Sequence, residues 1–184
     1  MIWLSSDFHF CHDKDFIWRP RGFDSVWDMN STIVENWNSV VKPGDECYVL
    51  GDIMLNNNEI GMNLLKSLNG HIHIVTGNHD TASRIKLYRS SWNVVEVDKA
   101  IDLKYGGYHF HLTHYPTLTA NHDDYKPMKR KVLNLCGHLH TGDPFYDWPL
   151  GMIYHVELDA HKCYPVEIES IIYDFYHPEV TTNA

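Results

Sequence analysis

Five clusters of Asp, Asn, Gly and His, spread from residue 7 to residue 140, each stand where an apolar run of this 184-residue chain ends. They are Asp7-Phe8-His9, Gly51-Asp52, Gly77-Asn78-His79-Asp80, Thr113-His114 and Gly137-His138-Leu139-His140. A short apolar run bounded by turn residues reads as a buried strand. The chain is therefore expected to carry these polar side chains on loops at strand tips rather than inside elements. Gly51-Asp52 or Gly77-Asn78 alone is ordinary turn chemistry, because Gly and Asn tolerate left-handed backbone. Five such clusters in one chain are not.

The segments between the clusters supply the helices. After a strand over residues 2–4 and an aromatic loop through Arg19-Pro20-Arg21-Gly22, Asp24 or Ser25 can cap a helix. It would carry Val26, Met29, Ile33, Val34, Trp37 and Val40 or Val41 at helical spacing, with Lys42-Pro43-Gly44-Asp45 as its stop. Residues 47–50 read as a second strand, 59–68 as a helix stopped by Asn69-Gly70, 71–76 as a strand and 81–88 as a short helix. Beyond Trp92 the pattern turns to strands at 94–97, 101–105, 108–113, 132–136 and 153–158, with Gly106-Gly107 as a hairpin turn. Residues 166–175 fit a terminal strand or a short helix equally. Strand–helix alternation followed by strands predicts an α/β chain of two sheets with helices outside, and without repeats or linkers residues 1–184 read as a single domain.

Composition bounds the function classes. A hydrophobic content of 43 % supports one substantial core. The formal charge of −9 argues against non-specific nucleic-acid binding, which needs a basic face, although it leaves a nucleic-acid substrate possible but not favoured. Cys11, Cys47, Cys136 and Cys163 show no C-x-x-C spacing, so free thiols in a reducing compartment are expected. No basic leader and no stretch of ~20 apolar residues is present, and the expected setting is the cytoplasm with no membrane partner.

The polar clusters together offer the ligands of a two-metal site. Asp7 and His9, two apart, would face one side of a continuing strand. Asp52, after a glycine that permits a tight turn, can bridge two ions about 3.5–4 Å apart. Asn78 adds an amide oxygen, and His114, His138 and His140 add imidazole nitrogens. That mixture suits Mn, Fe, Zn, Co or Ni better than Ca or Mg, and the cofactor expected is a pair of divalent ions with Mn²⁺ first. Such a pair acidifies bound water and neutralises the phosphoryl oxygens that gain charge in a transition state. His79, beside Asn78, suits a general acid for the leaving oxygen.

The ordered set D-x-H, G-D, G-N-H-D, H and G-H-x-H resembles the calcineurin-like metallophosphoesterases from Asp7 to His140. Asp7-Phe8-His9-Phe10-Cys11-His12, then Arg19-Pro20, Trp37-Asn38 and Val49-Leu50-Gly51-Asp52, is similar to the compact bacterial and phage-type branch. The resemblance implies a four-layer α-β-β-α sandwich of two mixed sheets flanked by helices. It implies one metal on Asp7, His9, Asp52 and His140 and a second on Asp52, Asn78, His114 and His138, with a bridging hydroxide as nucleophile. One position departs: Leu55 stands where many members have an aspartate that orients the residue equivalent to His79. Asp80 is the candidate to take over that task.

His12, Arg19, Arg21 and Arg84 are candidate substrate contacts. The length leaves no room for a cap domain, and the expected substrate is a small phosphodiester or nucleotide derivative. A nuclease would need a basic track, and a non-catalytic scaffold would be expected to have lost ligands. The aromatic residues Phe8, Phe10, Phe16, Trp18 and Phe23 read as loop packing ahead of a stacking platform, and residues 121–131 as either a gate beside the site or a surface loop.

Overall fold

The computed structural model describes residues 1–178. Its first sheet has the order β4-β3-β2-β1-β9. β1 (Ile2–Ser5), β2 (Glu46–Val49), β3 (His71–Val75) and β4 (Val94–Asp98) run parallel, and the short β9 (Val166–Glu167) lies antiparallel against β1. The second sheet, β5-β6-β7-β8, begins with the hairpin of β5 (Ala100–Tyr105) and β6 (Tyr108–Thr113), then adds β7 (Val132–Cys136) and β8 (Ile153–His155) in parallel. Gly106 and Gly107 both take positive φ, as the two-residue turn requires.

Alternation along the strands sets the layers. In β2, Cys47 and Val49 enter a core shared with Met29, Ile33 and Trp37 of α2 (Val26–Val40), Met62 and Leu65 of α3 (Asn58–Lys66) and Tyr88 of α4 (Ala82–Tyr88). Tyr48 and Leu50 face the other way, into a core with Phe110, Leu112, Leu133 and Leu135 of the second sheet. The fold is thus two mixed sheets flanked by helices, as expected. Ser25 caps α2 by accepting from Asp28 N, and Gly70 at φ 96° turns the chain into β3. Residues 166–175 resolve into both alternatives: β9 leads directly into the last helix, whose Ile168, Ile171 and Phe175 join the second core. The four-residue α1 (Asp15–Trp18) lies in the aromatic loop.

Three expectations need correction or completion. The strand predicted over 153–158 ends at His155, because the chain crosses to the first sheet, where Glu157 bridges Ser6, and then forms a 3-10 turn over Leu158–His161. The aromatic loop is packing: Phe8 and Phe10 are fully buried, Phe8 lies edge-on to Trp37, and only Phe16 of the five is strongly exposed. At the far end of residues 121–131, Lys129 lies over Tyr108, at the opposite end of β6 from His114. All four cysteines are buried free thiols. Among the described residues no helix is long and apolar enough to cross a membrane.

Candidate metal centre

The polar clusters meet at the carboxyl ends of β1, β2, β3, β6 and β7, the edge at which parallel strands of α/β sheets present ligand sites. Backbone pairing continues past the strand ends to hold them. Asp7 N–H donates to Gly51 O at 3.0 Å, His9 N–H to Asp52 O at 2.9 Å and Phe10 N–H to Ile53 O at 2.9 Å. Within these paired loops Asp7, His9, Cys11 and Asp52 take left-handed backbone, with φ of 58°, 51°, 64° and 54°; His138 and His140 do so at 79° and 52°. Each costs about 1–2 kcal/mol for a residue with a Cβ and persists only where its surroundings over-determine it. The extended strand expected through Asp7 and His9 is therefore corrected. Left-handed residues, not a pleat, bring both side chains to one place. Gly77 and Gly137 allow the close approach, since a Cβ at Gly77 would strike the Asp52 carboxylate and one at Gly137 would strike Ser6 Oγ and Asp7 Oδ2.

His9 Nε2 lies 3.1 Å from His140 Nε2, 3.7 Å from Asp7 Oδ1 and 3.8 Å from Asp52 Oδ2. His140 Nε2 is 3.6 Å from Asp7 Oδ1. Across Asp52, His114 Nε2 is 3.6 Å from Oδ2 and 2.8 Å from Asn78 Oδ1. Two trios result, Asp7-His9-His140 and Asp7-Asp52-His114, each with ligand atoms within 4.8 Å of one another. His138 belongs to neither; its ring stands edge-on to His114 at 5.0 Å, and its backbone N–H donates to Asp7 Oδ2 at 2.9 Å.

The donors fit divalent cations. Asp7 is fully buried, and its Oδ2 accepts from Ser6 Oγ at 2.6 Å and from His138 N–H, yet among the described residues Oδ1 has no hydrogen-bond partner. An unmet buried acceptor costs about 1–3 kcal/mol, more when charged. A cation held by Asp7, His9 and His140 would remove that cost. The outer nitrogens also fix the inner ones: His114 Nδ1 is 2.8 Å from Leu50 O and His140 Nδ1 is 2.9 Å from Asp159 Oδ2, so both Nδ1 atoms carry the proton and both Nε2 atoms present a lone pair.

Electrostatics agree. Burial would raise Asp7, but the neighbouring His9, His114 and His140 rings hold it well below the usual carboxylate range. Burial pushes His9 down to about 4 against the pull of Asp7. Burial raises Asp52, with His114 opposing only in part. His12 and His138 are lowered, chiefly by burial. For His140, burial opposes charging, but the Asp159 bond and the Asp7 charge outweigh it and raise the ring.

The family model for calcineurin-like phosphoesterase superfamily domains matches residues 1–147. The chain belongs to this superfamily. Uncharacterized protein MJ1445 of Methanocaldococcus jannaschii is 36 % identical over 73 % of this chain and 80 % of its own length. The crystal structure of AQ665, a protein of unknown function from Aquifex aeolicus, superposes with a TM-score of 0.71 at 22 % identity, covering 94 % of this chain and 98 % of that one, and shows the shared fold. A novel archaeal phosphodiesterase superposes at 0.46 with 17 % identity, covering 84 % and 81 %. As a calcineurin-like phosphoesterase the chain is a hydrolase that calls for divalent metal ions, and the two trios are candidate ligand groups for them.

Several residues of this phosphoesterase sit differently from expectation. Asp80 does not contact the His79 ring: its Oδ2 accepts from Asp52 N–H at 2.9 Å and Gly77 N–H at 2.8 Å, and its Oδ1 from Tyr88 OH at 2.7 Å. It ties down two loops. The side chain of Arg21 is 1 % exposed and paired with Asp159, which removes it from any substrate. Arg84 donates to His79 O at 2.6 Å and to Asn58 Oδ1 at 3.0 Å, bracing a loop, and Arg19 pairs with Asp15 on the surface. His12 is buried with Nδ1 3.2 Å from His9 Nδ1, a partner for that ring. His79 itself is 40 % exposed, with Nε2 3.9 Å from Asp52 Oδ2 and its N–H donating to Asp52 Oδ1 at 2.8 Å. Asp159, Tyr88 and Leu50 O escaped sequence reading because no local pattern links them to the residues they hold; Asp159 stands 138 positions from Arg21.

Proposed function

We propose that the chain is a metal-dependent phosphodiesterase of the cytoplasm that hydrolyses small phosphodiesters, nucleotide derivatives among them, with two divalent ions, Mn²⁺ first. The observation that supports this most is the buried Asp7 carboxylate, with one oxygen fully bonded and the other partnerless at the junction of both ligand trios. Asp7, His9, Asp52 and His140 would hold one ion, and Asp52, Asn78, His114 and His138 the other. When bound, such a pair supplies an acidified water and positive charge for the phosphoryl oxygens.

The chain's own groups do the rest. The His79 and Asp80 backbone and side-chain bonds fix Asp52 from both sides. His79, half-exposed at the mouth, is placed to give the leaving oxygen its proton from the imidazole. Arg21 and Arg84 are spent on internal partners, so substrate charge has to be met at the metal centre. A diester carries less charge than a monoester and meets less repulsion from a chain of net −9. Exposed rings flank the site on both sides: Phe16 edge-on to His12 at 5.8 Å, and Tyr115 edge-on to His138 at 4.6 Å. They offer faces to the aryl or base portion of an ester. The buried free thiols accord with a reducing compartment.

Metal-stripped protein assayed with and without Mn²⁺ on bis(p-nitrophenyl) phosphate and p-nitrophenyl phosphate tests the reading, with His79→Ala as control. Mn²⁺-dependent turnover of the diester, much reduced in the variant, is expected. Preference for the monoester would overturn the substrate class, and no turnover of either ester with Mn²⁺ bound would overturn the activity.

A further inference from the structure

Arg21 is a fully charged side chain sealed in the interior beside the metal centre. Such burial is costly unless every donor is met, and here the fork is used completely. Nε donates to Asp159 Oδ1 at 3.0 Å and Nη2 to Asp159 Oδ2 at 2.7 Å, while Nη2 also donates to Asp7 O at 2.8 Å and Nη1 to Phe8 O at 3.4 Å. Asp159 Oδ2 in turn receives His140 Nδ1 at 2.9 Å. One guanidinium therefore grips the loop after β1 through its carbonyls and, through the Asp159 carboxylate of the turn after β8, holds His140 in the loop after β7. Asp7 and His140, the ligands at the two ends of this grip, both stand in left-handed backbone. His114 has a separate anchor, Leu50 O.

We infer that Arg21 and Asp159 are a positioning pair that sets the affinity of the ion held by Asp7, His9 and His140 and bears much less on the ion at His114, which shares only Asp7 with it. This rests on the metallophosphoesterase reading above. The pair spans the two sheets: Asp7 and His9 follow a strand of the first and His140 a strand of the second, so the distance between their ligand atoms depends on how the two loops are tied. Asp159 also keeps the proton of His140 on Nδ1, so that Nε2 stays a ligand. Partners of metal-bound histidines of this kind are worth about 10–100-fold in metal affinity.

Metal-stripped protein titrated with Mn²⁺ by calorimetry, with melting temperature recorded alongside, tests the pair. Wild type should take up two ions. Asp159→Asn, which preserves shape and removes the charge, should weaken one of them by about 10–100-fold and leave the other within about threefold. Arg21→Lys, which keeps a charge but cannot span Asp159 and the Asp7 carbonyl together, should weaken the same ion and serves if Asp159→Asn does not fold. Placed in His140→Ala, Asp159→Asn should change nothing further; placed in His114→Ala, it should still weaken the remaining ion. Equal weakening of both ions, or additive loss in His140→Ala, would reduce the pair to general structural support and overturn the inference. Two tight ions in wild type and in both variants would overturn it alone. A wild type that binds no Mn²⁺ would overturn the functional reading beneath it.

Discussion

Removing the Asp80 carboxylate separates two accounts of what that residue does. It is buried, and its two oxygens meet three donors: Asp52 N–H, Gly77 N–H and Tyr88 OH, at 2.9, 2.8 and 2.7 Å. Asp80→Ala orphans two backbone N–H groups and a buried phenol, each costing about 1–3 kcal/mol. Relaxation and entering water will offset part of the sum, leaving about 3–6 kcal/mol. In a chain of this size about 2–4 °C of melting temperature accompanies each kcal/mol, so the variant should melt roughly 10–20 °C lower. Asp80→Asn can keep much of the geometry, its carbonyl oxygen accepting both N–H groups and its amide donating to Tyr88 Oη, and should lose charge assistance and the acceptor of the Tyr88 hydroxyl proton, about 2–4 kcal/mol. Thermal unfolding by circular dichroism measures all three proteins. Were Asp80 instead the residue that orients His79, Asp80→Ala would melt within a few degrees of wild type while losing activity, and that result would refute the structural account.

Four further outcomes are expected. His79→Ala should lower kcat by roughly 10²–10⁴ with Mn²⁺ stoichiometry unchanged, as read by steady-state kinetics and calorimetry. Gly137→Ala should give little soluble protein or a centre with impaired Mn²⁺ uptake, because the added Cβ strikes Ser6 Oγ and Asp7 Oδ2. His155 is buried between Asp147 at 3.0 Å and Glu157 at 3.1 Å; burial opposes its charging, the two carboxylates outweigh it, and its pKa is raised. Its charged form stabilises fully below the ordinary value of 6.5 and that share is lost as pH rises through the raised one, so urea midpoints should fall above pH 6.5 in wild type and fall less in His155→Gln. Mn²⁺ at about a hundred times its dissociation constant should add about 2.7 kcal/mol to the folded state, and EDTA should lower the melting temperature correspondingly.

The elements could be read from the sequence because their causes are local. Ser25 before Val26, Asn69-Gly70 after the Leu64-Leu65 face and Gly106-Gly107 between alternating runs each act within a few residues of where they stand. Where a cause was not local, reading stopped short. Residues 153–158 have strand composition throughout, but Glu157 pairs with Ser6 of the other sheet, and that crossing ends the strand. Arg21 sits among Pro20 and Gly22 in a polar stretch, and nothing nearby marks it as an interior residue. Its burial is decided by Asp159, far along the chain.

The candidate ligands could be read for the same reason the elements could, since each cluster lies at the end of its own strand. Their backbone was not. Strand pleating places residues two apart on one side, and the structure reaches the same result through left-handed turns at Asp7, His9 and Asp52 and again at His138 and His140. These conformations are unfavourable locally, so no local preference forecasts them. They persist because Gly51 O, Asp52 O and Ile53 O receive the amides of the first loop, and because Arg21, Asp80 and Ser6 bind what remains. All this fastening still leaves Asp7 Oδ1 without a partner and sets His9 and His140 Nε2 3.1 Å apart. Asp7 Oδ2 and the loop amides are met while one carboxylate oxygen and two imidazole nitrogens are left converging, and that arrangement is what a candidate cation site requires. The rise in melting temperature with Mn²⁺ measures how tightly the folded centre holds the ion.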